Sequence, residues 1–581
     1  MMTKMTIRKQ TSHLNQLLVV FATILTAILA GIGIGEKKVA AYTMTDDGYA
    51  LVTNGNDFNQ AVTTDKKPYV RAANDLYYGG ATTVNANLTL DMAGYTFYES
   101  STTSAPLYVT GAYSITVMNM NQVIKTAGVT TGAENCKAAD GITSTTGYAH
   151  GYYGFIWVAS GNAVVTYQNC IWQFAATVTN TQPFYSVGPN AFQFSGTNTF
   201  TCGTDQELQE GDGFTILDGT TSFIEQAGLG TYNSCDDTGA SWNLTVNAGA
   251  TLNWTSNRTG FLMYTTSPVT WTINGNLNLT NTAAACNDLW YGSSSTATIT
   301  VGSSGSLNVN TYAPLFDTDI STVTFSAASG SYIDIRNNLA TGQLVSGVVA
   351  TSDTFSITNP SYARFAAGAG AVFGTSTNFK MTATNAHRLN VYSDMAQASN
   401  TLSKRGVATG VFSNDYVTLF DTATPSTYTT TDMSAIKAGK VIEFSAAKGL
   451  SITTLPTALT WQASLNDINA LASNGETITI ARTAGNIMPI AIYDDRDIGA
   501  YGWSLSVASN SLVPLVYNGN VIDATGQTLF DSSSALLTQT GDALFQTTFA
   551  ENAGIQAQVS NKMKAGTFTG TLTWTINDTI S

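Results

Sequence analysis

The sequence predicts an all-β protein in which a right-handed parallel β-helix, or solenoid, precedes a β-rich, sandwich-like C-terminal unit. Three observations lead to this prediction. Only 11% of the 581 residues are charged and Gly contributes 51 of them, which is typical of turn-rich β proteins. A strand–turn–strand pattern recurs in the middle of the chain. Two tryptophan-bearing strand patterns follow near the C-terminus.

The first 41 residues are predicted to be a signal peptide. Lys4, Arg8 and Lys9 precede a mostly apolar run at residues 17–34, and small residues precede an expected cleavage site after Ala41. A retained membrane anchor is the alternative, because the apolar run approaches the length that spans a bilayer. The signal-peptide prediction implies an exported, extracellular protein.

The charge balance argues against nucleic acid and anionic lipid as partners. The formal net charge is −14, and removal of residues 1–41 takes away five basic residues and one acidic residue, which leaves about −18. Both nucleic acid and anionic lipid bind preferentially to surfaces rich in Lys and Arg.

The five cysteines fit no zinc-binding spacing, and we expect no metal and no cofactor. They lie at positions 136, 170, 202, 235 and 286.

The most regular repeat lies between residues 242 and 335. Alternating apolar residues enter a Gly- or Asn-containing turn and resume after it, and the equivalent positions are separated by 27, 28 and 24 residues. These positions are Val246, Ile273, Val301 and Phe325. One such unit cannot bury its apolar face alone, whereas stacked units can, as in a solenoid. An antiparallel sandwich shares the alternation but not the period.

The predicted domains follow from these patterns. The solenoid covers residues 42–420, with its core at about 50–340, further strands to about 420 and a short capping helix near Phe58. Residues 421–439 are rich in Thr and are predicted to be a linker. The C-terminal unit then covers residues 440–581.

Four segments of the solenoid resemble the pectate-lyase-like adhesive domain of lactobacillal surface proteins. They are Tyr153–Ile156, Val165–Asn169, Gln182–Tyr185 and Phe194–Asn198. The resemblance implies a right-handed β-helix used for adhesion, in a family that is generally not shown to cleave pectin.

The C-terminal unit contains two strand patterns of period two. One carries Trp503, Leu505 and Val507, and the other carries Leu572, Trp574 and Ile576. Such spacing places each set of side chains on one face of its strand. We expect the two strands to bring both indoles into one sheet.

These strands, together with an Asp-x-Arg run before the first of them, resemble the WxL domain of low-GC Gram-positive bacteria. Ile576 departs from the family's usual Leu. The resemblance implies a cell-surface protein that attaches non-covalently to the peptidoglycan cell wall. Other WxL-type surface proteins are further candidate partners. The wall-binding motif carried over is Asp494, Arg496, Trp503, Leu505, Trp574 and Ile576. An ion pair between Asp494 and Arg496 is expected to fix a turn. The two indoles either contact the wall or form the core.

Aromatic residues in the solenoid are candidates for adhesion. Tyr152, Tyr153 and Trp157 lie together beside a long Gly- and Thr-rich insertion, and exposed rings stack on sugars or form protein-binding hot spots. The Trp residues at strand positions are instead expected to fill the interior. The expected ligand is a host or matrix glycan or protein.

We expect no enzymatic activity. A pectin lyase needs carboxylates for calcium and a basic residue that removes a proton. Arg258, Arg336 and Arg364 are the basic candidates, and no turn presents an Asp cluster facing one of them at a defensible spacing. A wall-tethered polysaccharide lyase or hydrolase, and a structural subunit of a surface complex, are the alternative functions.

Overall fold

A computed structural model describes most of the chain from residue 42 to residue 580. The described ranges are 42–78, 82–99, 105–124, 154–159, 162–174, 182–187, 192–202, 207–226, 234–236, 241–260, 262–284, 290–291, 296–315, 322–340, 342, 344, 354–368, 371–372, 380–397, 400–413, 417–419, 430–446, 449–474, 477–494, 501–540 and 544–580. Within these ranges no helix is long and apolar enough to span a membrane.

The N-terminal part is a parallel β-solenoid of the right-handed type, which confirms the predicted class of this part. Its turns build three parallel sheets, named A, B and C here. Sheet A consists, in pairing order, of Ala50–Val52, Tyr69–Ala72, Leu88–Asp91, Ser114–Met118, Val164–Gln168, Phe192–Ser195, Gly213–Ile216, Trp242–Val246, Val269–Ile273, Thr296–Val301, Thr322–Ala327, Thr354–Thr358 and Lys380–Tyr392. Sheet B consists of Asn121–Ile124, Ile171–Phe174, Thr197–Cys202, Thr220–Glu225, Thr251–Ser256, Asn276–Asn281, Ser306–Thr311, Tyr332–Asn337 and Tyr362–Ala367. Sheet C consists of Thr82–Val84, Leu107–Val109, Ile156–Val158, Phe184–Ser186, Gln209–Glu210, Cys235–Asp236, Met263–Tyr264 and Trp290–Tyr291.

Alternate residues of each strand face the interior, as the period-two pattern predicts. In the repeat region Val246 pairs with Ile273 and Ile273 with Val301, and all three are fully buried. Val301 then pairs with Ala327, whereas Phe325 pairs with Ile299. The predicted equivalence of Val301 and Phe325 is therefore wrong by two residues. The period-two pattern could not detect this shift, because a shift of two residues leaves the same face inward.

One part of the interior is a cluster of aromatic rings in tilted and edge-to-face contact. Phe184 has its ring centre 4.7–5.5 Å from those of five other phenylalanines. These are Phe192, Phe194, Phe200, Phe214 and Phe223. Trp242, Trp254 and Trp271 are also 0–2% exposed, which confirms that these indoles fill the interior.

One buried ion pair interrupts this apolar interior. Arg258 Nε lies 2.5 Å from Glu225 Oε2, and both side chains are at most 2% exposed. The carboxylate also accepts hydrogen bonds from Trp254 Nε1 at 2.7 Å and Ser234 Oγ at 2.8 Å. Removal of one partner of such a pair typically costs about 3–5 kcal/mol, because the other charge stays buried.

A short helix covers the N-terminal end of the solenoid. Strand Thr43–Met44 pairs antiparallel with Ala50–Val52, and the helix Gly55–Asn59 continues as a π-helix over Gln60–Thr64. Phe58 is fully buried and packs edge to face on Phe97 at 5.1 Å. Leu76–Tyr78 and Phe97–Glu99 form a further parallel pair beside it. The predicted capping helix is therefore present.

The C-terminal end of the solenoid is closed by antiparallel strands. Lys380–Tyr392 pairs with Asn400–Ser413, which pairs with Val417–Leu419. The helix Thr430–Ala438 leads to Val441–Ser445, and this strand pairs with both Tyr362–Ala367 and Lys380–Tyr392.

The closing segment, residues 430–446, extends across the domain boundary that the sequence predicted at residue 440. Ile436 and Phe444 are fully buried in the solenoid core. Residues 430–446, which include the described part of the predicted linker 421–439, therefore belong to the solenoid. Glu443 secures this closure by accepting hydrogen bonds from Tyr362 Oη at 2.7 Å and Tyr392 Oη at 3.2 Å. Burial and the nearby Glu443 charge raise the pKa of Tyr392 to about 12.

The C-terminal unit has its own core and three antiparallel sheets. The first contains Leu450–Thr454, Met488–Asp494, Leu544–Phe549 and Thr538–Thr540. The second contains Thr477–Ile480, Gln556–Ser560, Leu515–Tyr517 and Asn520–Ile522. The third contains Gln527–Asp531, Tyr501–Ser509 and Leu572–Ile580. The helix Leu465–Asn474 precedes Thr477–Ile480.

Three cysteines of the solenoid are free and fully buried. Burial raises the pKa of the Cys170 thiol and of the Cys202 thiol to about 12, and it raises that of Cys235 as well. Cys136 and Cys286 lie outside the described residues.

We predict that Cys170, Cys202 and Cys235 resist alkylation while the solenoid is folded. Near pH 8.5, the usual pKa of a free thiol, these three groups remain protonated and inaccessible. Peptide-resolved mass spectrometry after iodoacetamide treatment should show them unmodified in the native protein and modified in guanidinium chloride. Native labelling as fast as in the denatured protein would contradict the buried positions.

Candidate functional site

The outer face of sheet C carries a single line of aromatic and acidic side chains, named the outer ladder here. In its three-residue strands the first and third residues are buried, as Leu107 and Val109 are, so the middle residue points outward. In the two-residue strands that contribute Glu210, Asp236 and Tyr264, the first residue is buried and the second points outward. Parallel pairing in register then aligns these outward residues across neighbouring turns. The outer ladder consists, in order, of Tyr108, Trp157, Tyr185, Glu210, Asp236 and Tyr264.

The three rings at the start of the outer ladder hold one another in place. The ring centres of Tyr108 and Trp157 are 4.9 Å apart at an interplanar angle of 82°. Those of Trp157 and Tyr185 are 5.6 Å apart at 86°. Each edge-to-face contact of this kind contributes about 0.5–1.5 kcal/mol beyond the burial of area. Trp157 is only half-buried, so the rings form a preorganised aromatic surface that solvent reaches.

Two carboxylates continue the outer ladder beyond the rings. Tyr185 donates a side-chain hydrogen bond to Glu210. Burial raises the pKa of Glu210, as does the negative charge of Glu207, while the Tyr185 hydrogen bond acts in the opposite direction. Asp236 pairs in register with Glu210 on one side and with Tyr264 on the other. Tyr264 is 39% exposed, so Glu210 and Asp236 are flanked by an accessible ring on this side as well as by Tyr185 on the other.

The structure places one of the three predicted adhesion residues on the outer ladder. Trp157 lies there, whereas Tyr152 and Tyr153 lie outside the described residues. Sequence reasoning missed the other five members of the outer ladder. The strands Leu107–Val109 and Ile156–Val158 share an apolar–aromatic–apolar triplet that could have drawn attention to them.

The two tryptophan-bearing strands lie side by side in one sheet. Tyr501–Ser509 pairs antiparallel with Leu572–Ile580, and Leu505 lies opposite Ile576. Val507 lies opposite Trp574. Directly opposed residues share one face of a sheet, so both motifs point to the same side. The expectation that both indoles occupy one sheet is confirmed.

The two indoles nevertheless occupy different environments. Trp503 is fully buried and packs edge to face on Phe545 at 5.8 Å and on Phe530 at 6.3 Å. Trp574 and Ile576 are half-buried and pack against the same core from an edge strand. Trp503 therefore forms the core, and Trp574 is the motif indole that solvent reaches.

The Asp-x-Arg run is only partly described. Asp494 ends the strand Met488–Asp494 and pairs with Leu450. Arg496 lies outside the described residues, and so does the expected ion pair between the two.

A buried arginine that the sequence did not reveal ties the C-terminal unit together. Arg482 is 3% exposed, and burial lowers its pKa. Its guanidinium donates five hydrogen bonds of 2.7–3.0 Å to backbone carbonyls, which matches its five N–H donors. The acceptors belong to Asn486, Phe549, Ala550, Ala553 and Ile555.

No metal centre is apparent in the described part of the chain, where no group of three or more His, Cys, Asp or Glu side chains converges. The basic candidates for lyase chemistry are engaged in ion pairs. Arg258 pairs with Glu225 in the interior, and Arg336 and Arg364 both pair with Asp334.

No family model matches the sequence, and no curated protein matches it. Two solved structures match. One is titled "L. reuters 100-23 SRRP", with 11% identity, a TM-score of 0.33, and coverage of 52% of this chain and 92% of that one. The other is titled "L. reuteri 53608 SRRP", with 12% identity, a TM-score of 0.29, and coverage of 54% and 92%.

We predict different stability effects for the two motif tryptophans. Trp503→Ala should destabilise the C-terminal unit by about 3–5 kcal/mol, because it empties a core position. Trp574→Ala should cost about 1 kcal/mol, because this indole is only half-buried. Hydrogen exchange of residues 477–560 in the chain from Tyr42 to Ser581 checks both values. Wild-type protection in Trp503→Ala would contradict the core role.

Proposed function

We propose that this protein is an exported cell-surface protein whose solenoid binds ligands and whose C-terminal unit attaches it to peptidoglycan. The outer ladder carries the first half of the proposal. It is a rigid row of half-exposed rings and carboxylates, whereas the strand indoles Trp242, Trp254 and Trp271 are buried in the interior. Preorganised exposed rings of this kind contribute strongly to recognition, because little side-chain entropy is lost on binding.

The attachment half rests on the paired motif strands and the WxL resemblance. Leu572–Ile580 is the edge strand of its sheet, so Trp574 and Ile576 are reachable at one margin of the unit. The buried Trp503 and Arg482 would hold this margin in shape. Attachment through a folded surface requires no covalent bond.

Export is proposed from the basic and apolar pattern of residues 1–41, which lie outside the described residues. Cleavage after Ala41 would release a chain that begins at Tyr42.

We propose ligand binding rather than catalysis for the solenoid. Engagement of Arg258, Arg336 and Arg364 in ion pairs leaves these three side chains poorly suited to remove a proton from a substrate. The lyase and hydrolase alternative is therefore the weaker one.

We predict that the chain from Tyr42 to Ser581 co-sediments with purified Gram-positive sacculi. Trp574→Ala should weaken retention roughly tenfold, which corresponds to about 1.4 kcal/mol of lost contact, while the protein stays folded. Leu512→Ala is the matched control, since Leu512 is 80% exposed on the same unit and lies outside the motif strands. Equal retention of all three proteins, or no retention of the wild type, would reject wall attachment through this margin.

We predict that the solenoid does not cleave pectin. Incubation of the protein with pectin and calcium should release no unsaturated uronate, as followed by ultraviolet absorbance beside an active pectate lyase. Sustained product formation that Arg364→Ala abolishes would instead establish the lyase alternative.

A further inference from the structure

The outer ladder combines two features that attract positive charge. Its rings offer electron-rich faces to cations, and Glu210 and Asp236 add two carboxylates. The described strands of sheet C contain no Lys, Arg or His. A positively charged group on this face therefore meets attraction from both kinds of side chain.

The surrounding sequence has the same bias. Residues 82–300 include thirteen Asp or Glu and three Lys or Arg. Of the three basic residues, Arg258 is buried and paired with Glu225, and Lys125 and Lys137 lie outside the described residues. The bias disfavours anionic ligands such as uronate or sulfated glycans, because no described basic side chain on this part of the surface is free to neutralise them.

The shape of the outer ladder suits a linear polymer. Its six positions follow the stacking direction of the solenoid, and neighbouring strands are about 4.8 Å apart, so the row extends for about 24 Å. A single small molecule would contact only a fraction of this length. An extended chain could contact the ring cluster at one end and the carboxylates beyond it together.

The backbone of sheet C favours a sugar chain over a peptide. Its N–H and C=O groups form the ladder of hydrogen bonds between turns, so a peptide lying on this face would find no backbone partners. A pyranose ring needs none, because its C–H face packs on an aromatic ring and its hydroxyls bond to side chains.

We propose that the outer ladder binds a polymer of amino sugars whose amines are free and protonated. Sugar rings pack on Tyr108, Trp157 and Tyr185, and ammonium groups lie against Glu210 and Asp236. This ligand class rests on the proposed role of the solenoid as the binding module, and it makes that role specific.

The test is calorimetric titration of the chain from Tyr42 to Ser581 with a chitosan oligomer and with the N-acetylated chitin oligomer of equal length. The two differ only in the charge and acetylation of the amine. The pH must be low enough to protonate the amines and high enough to keep Glu210 ionised, since burial raises the pKa of this carboxyl group. Under that condition we expect at least tenfold tighter binding of the chitosan oligomer, with an affinity that falls as salt is raised.

Variants locate the interaction on the outer ladder. Glu210→Gln and Asp236→Asn should each weaken chitosan binding roughly two- to fivefold, as expected for solvent-accessible ion pairs. Asp46→Asn is the matched control, because it removes the same charge from an exposed position outside sheet C. Trp157→Ala should weaken binding of both oligomers, and Tyr264→Ala repeats this test at a ring that is 39% exposed. Circular dichroism establishes that each variant is folded.

Four outcomes would overturn the inference. These are equal binding of the two oligomers, an equal loss in Asp46→Asn, no effect of the ladder variants, and tighter binding of an oligolysine peptide, which would identify a basic protein as the ligand. A glycan array distinguishes failure of the amino-sugar proposal from failure of the proposed ligand-binding role of the solenoid. Array binding that Trp157→Ala removes, without chitosan binding, leaves the solenoid a binding module for another sugar. Array binding that no ladder variant affects removes the outer ladder from both proposals.

Discussion

Parallel stacking in register is the constraint on which the rest of the solenoid depends. Each strand bonds to the equivalent strand of the next turn, so a position that faces inward on one turn faces inward on the next. The interior must therefore accept similar side chains turn after turn, as the phenylalanine cluster around Phe184 does. A charge can enter only with its partner, and Glu225 and Arg258 occupy the interior as such a pair.

The same constraint organises the outside. On sheet B, Asn278 donates to Asn253 at 2.9 Å and Asn308 donates to Asn278 at 2.8 Å, which forms a row of amides. This row continues in register through Asp334 and Arg364, where amide contacts give way to an ion pair. On sheet C the equivalent row is the outer ladder. A solenoid can thus present a linear binding surface to which each turn contributes one residue, and such a surface needs no cavity.

A solenoid also has two open ends, and unpaired strand edges favour aggregation. At the N-terminus the short helix with Phe58 covers the first turn. At the other end Val441–Ser445 returns antiparallel, and Glu443 accepts hydrogen bonds from tyrosines of two different strands. The C-terminal unit follows a different plan, with antiparallel sheets around Trp503 and five carbonyls gathered by Arg482. The division of labour that we propose, ligand binding by one part and wall attachment by the other, follows this difference in construction.

The sequence by itself determined which side chains face inward, because that depends on period two and on a repeat of fixed length. Trp242, Leu244 and Val246 occupy the interior as their alternation predicts. The sequence likewise indicated that the strands of Trp503 and Trp574 would share a sheet. Only the tertiary structure decided what depends on register and on contacts between distant segments. The outer-ladder rings Tyr108, Trp157 and Tyr185 are far apart in sequence and meet only because three turns stack. Residues 430–446 join the solenoid by strand pairing, which the Thr-rich sequence before them does not indicate. The local sequence pattern determines which face of a strand is buried. Which strand pairs with it depends on the free energy of packing all turns of the solenoid together.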